Sequence, residues 1–335
     1  MKIALLNANM KMTSFLKRSE RLPLDMNERK IISIAPSFNC KLKCEGCYLT
    51  SDVTKEMRDA VKSEEYWMAL INEAASLGYE EFCITMNPFP GVVEETKKYL
   101  RKAKSKGMET NVTTVFQLVP ELDDEFYSMV DILTLSIDDL HGIPLPLLAY
   151  YLDIFTVKSL TKDTIMSVED DIARCLDAVA RLEDTLENHN ISLNYNLLWT
   201  PEVFRYVLEC KERGYIKERK QIDFTVQHLF YKPITLYESV DWFWEQLDRV
   251  IEEVPEIDIL GTTEWATTDV SLKNHIGTGL CPGYEHQMVD FDPMGQARRC
   301  PENPVSYDAS TIGEATRFLR RGTPCKAERC NCIFN

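Results

Sequence analysis

Three thiols stand close together in Cys40-Lys41-Leu42-Lys43-Cys44-Glu45-Gly46-Cys47-Tyr48, at C-x3-C-x2-C spacing, directly after a short apolar run over 31–35. Thiolates so spaced can face one iron–sulfur cube, whose four irons want four ligands. The missing fourth thiol leaves one iron open to a ligand from outside the protein, as the open position does at a catalytic zinc. A structural zinc knuckle is the other reading of the triplet. It would want a fourth Cys or His nearby, and none occurs between Tyr48 and Cys83.

The elements that must hold this loop are legible in the hydrophobic pattern. Runs rich in Ile, Val, Thr and Phe predict strands over 31–35, 81–85, 109–114, 131–137, 191–198 and 221–227. Helices are expected between them. Ser63 reads as an N-cap, followed by Glu64 and Glu65 in the first turn. Trp67, Leu70, Ile71 and Ala74 then form one face, and Gly78 ends the helix. Further helices are predicted over 168–188, 202–213 and 236–253. Six strand-plus-helix units imply parallel strands with right-handed crossovers. Six are too few for a closed eight-unit barrel, so the expected fold is α/β, a partial (β/α)6 TIM-like barrel. Its chemistry belongs at the carboxyl ends of the strands, and the thiol triplet follows the first of them.

Composition narrows the class. The chain of 335 residues carries 38 basic and 53 acidic side chains, a formal charge of −15. So acidic a surface disfavours contact with phosphate backbones, and no nucleic acid partner is expected. No apolar run reaches the roughly 18 residues of a membrane span, and the start is too short in apolar residues for a secretory signal. A cytoplasmic protein is expected, in which the eleven cysteines serve metal ligation rather than disulfides. Residues 1–30, with seven basic and three acidic side chains, read as an N-terminal extension. The apolar stretch 140–160, between the fourth and fifth strands, reads as a lid or partner surface, or as an added packing helix.

The triplet and its position resemble the radical S-adenosylmethionine superfamily. The resemblance implies that Cys40, Cys44 and Cys47 hold a 4Fe–4S cluster whose open iron binds the amino and carboxylate groups of S-adenosylmethionine. The same partial barrel is implied, over 31–254. In the family the end of the second strand usually reads Gly-Gly-Glu-Pro; here Thr85-Met86-Asn87-Pro88 keeps the proline and puts an amide in place of the acid. Asn87 is thus the expected contact to the cofactor's amino group. Tyr48 is expected to pack beside cluster or adenine. Ser136 and Asp138 are similar to the family's Ser-x-Asp and reach toward ribose or substrate. Asn194 and Asn196 share one strand face and are further candidate contacts, as is Gln227 at the end of the sixth strand. His228 beside it is placed to act as a base, with Asp138 the second candidate catalytic group.

A second cysteine cluster occupies 255–335, where the strand–helix rhythm stops: Cys281, Cys300, Cys325, Cys330 and Cys332. Asp290-Phe291-Asp292-Pro293-Met294-Gly295 reads as a turn between strands at 288–291 and 296–299, and a helix is expected over 311–321. Cys281, Gly295 and Cys300 resemble the auxiliary-cluster region called SPASM in its long form and twitch in its short form. The resemblance implies a small C-terminal β-hairpin/helix domain with one auxiliary 4Fe–4S cluster. The tail, Cys325-x4-Cys330-x-Cys332, departs from the usual Cys-x2-Cys and leaves open which thiols complete the site. Four thiolates suit a structural zinc equally well. The remaining Cys83, Cys175 and Cys210 read as core residues.

The function so implied is that of a radical enzyme. A low-potential reductase, flavodoxin or ferredoxin, supplies an electron. S-adenosylmethionine is cleaved to a 5′-deoxyadenosyl radical, which takes hydrogen from a small polar substrate resembling a sugar or aminocyclitol, with net oxidation through the auxiliary cluster. Modification of a ribosomally made peptide, by crosslinking or epimerisation, is the alternative. A metal-binding scaffold or electron carrier without radical chemistry is the alternative of another class.

Overall fold

The computed structural model describes residues 30–42, 44, 47, 49, 53–136, 178, 182, 185–186, 188–198, 201–212, 220–222, 224–227, 240–254, 257–259, 288–298 and 307–320. Its strands are β1 (Ile31–Ile34), β2 (Glu81–Thr85), β3 (Glu109–Val115), β4 (Ile132–Ser136), β5 (Ser192–Leu198), β6 (Lys220–Ile222), β7 (Phe224–Gln227), β8 (Ile257–Ile259), β9 (Val289–Phe291), β10 (Gln296–Arg298) and β11 (Tyr307–Asp308). The helices are α1 (Lys55–Asp59), α2 (Glu64–Ser76), α3 (Val92–Lys104), α4 (Asp124–Tyr127), α5 (Pro201–Glu212), α6 (Val240–Glu253) and α7 (Ile312–Arg320). The fold is mixed α/β around a sheet in which β1, β2, β3, β4, β5 and β7 run parallel in that order.

Local chemistry explains α2 from end to end. Ser63 Oγ accepts the backbone N–H of Tyr66 at 3.4 Å, and Glu64 and Glu65 sit where the helix dipole favours negative charge. Trp67, Leu70, Ile71 and Ala74 are buried, at the spacing of one helix face. Gly78 follows at φ 76°, a left-handed conformation suited to glycine. In α3 the order of charge is the same, with Glu94 and Glu95 in the first turn and Arg101, Lys102 and Lys104 in the last.

The strands sort their side chains by face. On one face Ile32, Ile34, Phe82, Ile84, Val112, Leu133 and Leu135 join a single core with Trp67 of α2, Leu100 of α3 and Phe204 of α5. On the other face Cys83, Thr85, Asn111, Thr113 and Thr134 are only part-buried. Burial alternates accordingly along 82–85 and 109–114, whereas Glu81, Val115, Ile132 and Ser136 are buried on the second face as well.

Two features depart from the expected pattern. The strand predicted over 221–227 is split: β7 pairs with β5 in the main sheet, whereas β6 pairs with β8 in a separate two-stranded sheet. A hydrophobic run cannot specify which partner each half finds. The C-terminal hairpin is present as expected, but it continues the main sheet, with β9 lying parallel to β1 and β10 and β11 beyond it. Lys62 N–H donates to Pro293 O at 2.9 Å. Gly295 has φ 73°, and a Cβ there would stand 2.7 Å from Lys62 Cε and 2.8 Å from Tyr66 Oη, so the turn is closed against the start of α2.

At the far end of α2, the Glu73 carboxylate accepts the N–H of Ile312 at 3.0 Å and of Gly313 at 3.1 Å. It caps α7 from another helix and meets the positive end of its dipole. Glu73→Ala is expected to lower stability by about 1–2 kcal/mol. Urea unfolding checks this, and an unchanged midpoint would mean that water replaces the carboxylate at no loss.

Candidate functional site

Beyond β1 the chain enters the thiol loop under several backbone restraints. Ala35 N–H donates to Phe291 O at 2.9 Å, which fixes the exit of the strand against the hairpin. Phe38 is buried, and Asn39 N–H donates to Ser37 Oγ at 3.0 Å. Lys41 N–H, next to the first thiol, donates to Pro88 O at 2.7 Å. The Asn87 amide donates from Nδ2 to Ser37 O at 3.2 Å. The loop after β1 is therefore tied to the loop after β2 by two hydrogen bonds. Leu49 is buried beyond the triplet, and Cys47 N–H donates to Cys44 O at 3.3 Å.

Cys40, Cys44 and Cys47 are outside any disulfide, and each is partly exposed. The Cys40 thiol is pushed above its ordinary pKa, chiefly by burial. A backbone hydrogen bond at Leu42 pulls the other way, and the negative charge of ionised Cys44 and Cys47 raises it further. Ionising three thiols so close in the chain calls for a cation. Thiolates are soft ligands of the kind that hold iron–sulfur clusters, and a bound metal keeps them deprotonated. Among the described residues no group of three Cys, His, Asp or Glu side chains converges as a single metal ion requires. One ion with metal–sulfur bonds of about 2.3 Å needs its sulfurs roughly 4 Å apart. A cubane makes a different demand, one thiolate per iron at separate corners. Three thiols on one loop supply donors for three such corners.

Parallel register carries the other candidates to the same edge. Asn87 follows β2 two residues past its end, Ser136 is the last residue of β4, and Gln227 is the last of β7. Ser136 stands beside Val115 and Asn196, and Leu198 beside Gln227. Asn194 lies two positions below Asn196, opposite Thr134. Tyr48, Asp138 and His228 lie outside the described residues, as do Cys281, Cys300, Cys325, Cys330 and Cys332, the stretch 140–160 and residues 1–29.

Three groups that shape this edge were not singled out in the sequence. Ser37 receives the Asn87 amide on its carbonyl and holds Asn39 with its hydroxyl. Thr114 Oγ1 donates to Met86 O at 2.9 Å, which fixes the backbone just before Asn87. Lys41 acts through its N–H alone. Only Pro36-Ser37 hinted at a turn, and nothing local marks Thr114, since its partner is 28 residues away in the chain. Cys83, read from the sequence as core, lies on the part-buried face, with Sγ 3.4 Å from Glu81 Oε1 and packed against Ile31 and Met288.

No protein-family model matches the sequence, and no curated protein matches it in sequence. The fold is shared with solved structures. Streptococcus suis SuiB bound to S-adenosylmethionine superposes with a TM-score of 0.50 at 14% identity, over 97% of this chain and 74% of that one. Tagged anSMEcpe with bound AdoMet gives 0.51 at 13% identity, over 92% of this chain and 81% of that one. The class that fold and site define is thus an α/β protein, similar in architecture to two proteins that hold S-adenosylmethionine, with a three-thiol loop at the carboxyl end of its first strand. Among the described residues no helix is long and apolar enough to cross a membrane.

Proposed function

We propose that the chain is a radical S-adenosylmethionine enzyme whose sheet curls into a partial (β/α)6 barrel. The observation that carries the reading is the thiol loop itself: Cys40, Cys44 and Cys47 at C-x3-C-x2-C spacing, on a loop tied through Lys41 and Asn87 to the end of the neighbouring strand. The shared fold of two S-adenosylmethionine-bound structures supports it. In this reading the three thiolates hold a 4Fe–4S cluster. When bound, it would supply the one-electron reduction that splits S-adenosylmethionine into methionine and a 5′-deoxyadenosyl radical able to take hydrogen from the substrate.

The chain's own residues position and protect. The backbone bonds at Ala35, Lys41 and Asn39 hold the loop at the carboxyl edge of the sheet. Asn87 anchors through its amide nitrogen, which also sets the plane of its oxygen, the acceptor offered to the cofactor's ammonium. Thr114 fixes the backbone that carries Asn87. Ser136, Asn194, Asn196 and Gln227 offer uncharged polar groups along the same edge for ribose and substrate. In this reading Tyr48 serves beside the cluster or the adenine, and Asp138 and His228 serve proton transfer. Cys281 and Cys300, with thiols drawn from Cys325, Cys330 and Cys332, would hold one auxiliary 4Fe–4S cluster in a C-terminal unit over 255–335, which would supply an electron acceptor for a net oxidation. The substrate is a small polar molecule, the electron donor is a low-potential flavodoxin or ferredoxin, and the compartment is the cytoplasm.

The test is 5′-deoxyadenosine formation by anaerobically reconstituted protein with S-adenosylmethionine and a low-potential reductant. Steady formation above a protein-free control is expected. Fully reconstituted protein that never cleaves S-adenosylmethionine would turn the reading toward a metal-binding scaffold or electron carrier.

A further inference from the structure

Thr85, Thr113 and Thr134 stand side by side across β2, β3 and β4, Thr85 opposite Thr113 and Thr113 opposite Thr134. Asn194 of β5 continues the row. One row nearer the carboxyl edge run Ser136, Asn196 and Thr225. Thr85, Thr113, Thr134 and Ser136 lie on the face opposite the helix-packed core, because residues two apart along a strand share a face. None is ionisable. Among the described residues the carboxylates Glu81, Glu109 and Asp290 stand in lower rows of this face, toward the amino ends, and Asp292, two past Asp290, is paired with Arg298 at 3.0 Å.

The other face of β3 shows what a threonine does when its hydroxyl serves the fold. Thr110 is buried and donates to Met129 O at 2.6 Å, and Thr114 is buried and donates to Met86 O at 2.9 Å. By contrast the hydroxyls of Thr85, Thr113 and Thr134 make no hydrogen bond among the described residues and are part-exposed. Ser136 is only 6% exposed, and its hydroxyl has no partner among the described residues either. Just below the row, Asn111 donates from Nδ2 to Glu81 Oε1 at 3.1 Å, which leaves its Oδ1 buried without a partner. A buried polar atom left unpaired is rare and costly, and Asn111 Oδ1 beneath the row marks a place that a ligand can complete.

We propose that the row Thr85–Thr113–Thr134 is the floor of the substrate site and receives an uncharged, hydroxyl-bearing ring, the sugar or cyclitol part of the substrate. A hydroxyl both donates and accepts, so a row of them matches ligand hydroxyls in either sense. A carboxylate, phosphate or ammonium set on this floor would lose hydration without gaining a countercharge. Neighbouring strands lie about 4.8 Å apart, comparable to the separation of alternate substituents on a six-membered ring. A flat polyol can therefore meet two neighbouring strands at once. The inference rests on reading the carboxyl edge above the row as the cofactor end of the site.

Saturation-transfer NMR on the full reconstituted chain tests it, with myo-inositol and D-glucose as neutral probes, gluconate and glucosamine as charged ones, and S-adenosylmethionine alongside. Thr85→Val, Thr113→Val and Thr134→Val remove the hydroxyls while keeping a β-branched strand residue. A neutral probe should bind the wild type more strongly than either charged one, and the triple variant should weaken it on the order of tenfold or more. Should the triple variant not fold, the single variants decide, each expected to weaken binding about twofold. No binding of either neutral probe, equal binding of the charged ones, or unchanged affinity in the variants overturns the proposal. Loss of S-adenosylmethionine binding in the variants also overturns it, and would give the row to the cofactor's ribose instead. The readout needs no turnover. A failure here therefore leaves the 5′-deoxyadenosine result standing, and a failure of that assay appears with no polyol present.

Discussion

Changing Cys40, Cys44 and Cys47 together to Ala is expected to bring 5′-deoxyadenosine formation down to background while about four irons per chain remain, the content of one cubane. The two halves of this result test different things. On the proposed reading, loss of cleavage follows because the loop supplies the protein ligands of the cluster that takes S-adenosylmethionine. The retained iron follows from the second set of thiols, Cys281, Cys300, Cys325, Cys330 and Cys332. The variant should fold, because the thiols are partly exposed and the loop is held by the backbone of Ala35, Lys41 and Asn39 rather than by sulfur. Iron and labile sulfide analysis after anaerobic reconstitution gives the partition. Undiminished cleavage in the triple variant would falsify the assignment of the loop. Retention of zinc with no iron would make the C-terminal thiols a structural staple, and redox-neutral chemistry would then be the better reading.

The second large effect concerns stability. Asp290 is 5% exposed in β9, opposite Ser33 of β1 and Arg298 of β10. Burial drives its carboxyl up to about 6, offset in part by a hydrogen bond with Ser33 and the Arg298 charge, and reinforced by Asp292. In an unfolded chain the group would titrate near 3.9. The folded state therefore holds the proton more tightly. The favourable contribution is complete below about pH 4 and is lost as pH rises through about 6. Above that, the fold carries a desolvated carboxylate at a cost on the order of 3 kcal/mol. Asp290→Asn keeps a polar partner for Ser33 without the charge, and Arg298 keeps Asp292 at 3.0 Å. The variant should be more stable than wild type at pH 7.5 by up to that amount and equal to it below pH 4. Urea midpoints at the two values decide. A variant weaker at pH 7.5 would mean that Arg298 holds Asp290 ionised after all.

Both predictions depend on features that differ in how far they could be read from the chain. The thiol triplet was legible because its spacing and its place after an apolar run are local. So was α2, whose cap, acidic first turn and buried face are consecutive in sequence. The hairpin announced itself through Pro293 and Gly295. The junction of that hairpin with β1 did not, since Ser33 and Asp290 are far apart in the chain and a parallel pairing leaves no local mark. For the same reason the bonds from Asn87 to Ser37 and from Lys41 to Pro88 were out of reach.

The threonine row makes the division plain. Thr85, Thr113 and Thr134 each look like ordinary strand residues, chosen for β-branching. Their meaning lies in register, which sets them abreast, and in the packing of helices on the opposite face, which takes up Thr110 and Thr114 and leaves these hydroxyls without partners among the described residues. By itself the sequence determined the ligand chemistry of the loop, the helix caps and the alternation of faces, because these depend on neighbours a few residues apart. Only the tertiary structure decided which strand edges meet, which carboxylate is desolvated and which polar groups are left for a ligand, because each depends on contacts between residues tens to hundreds of positions apart.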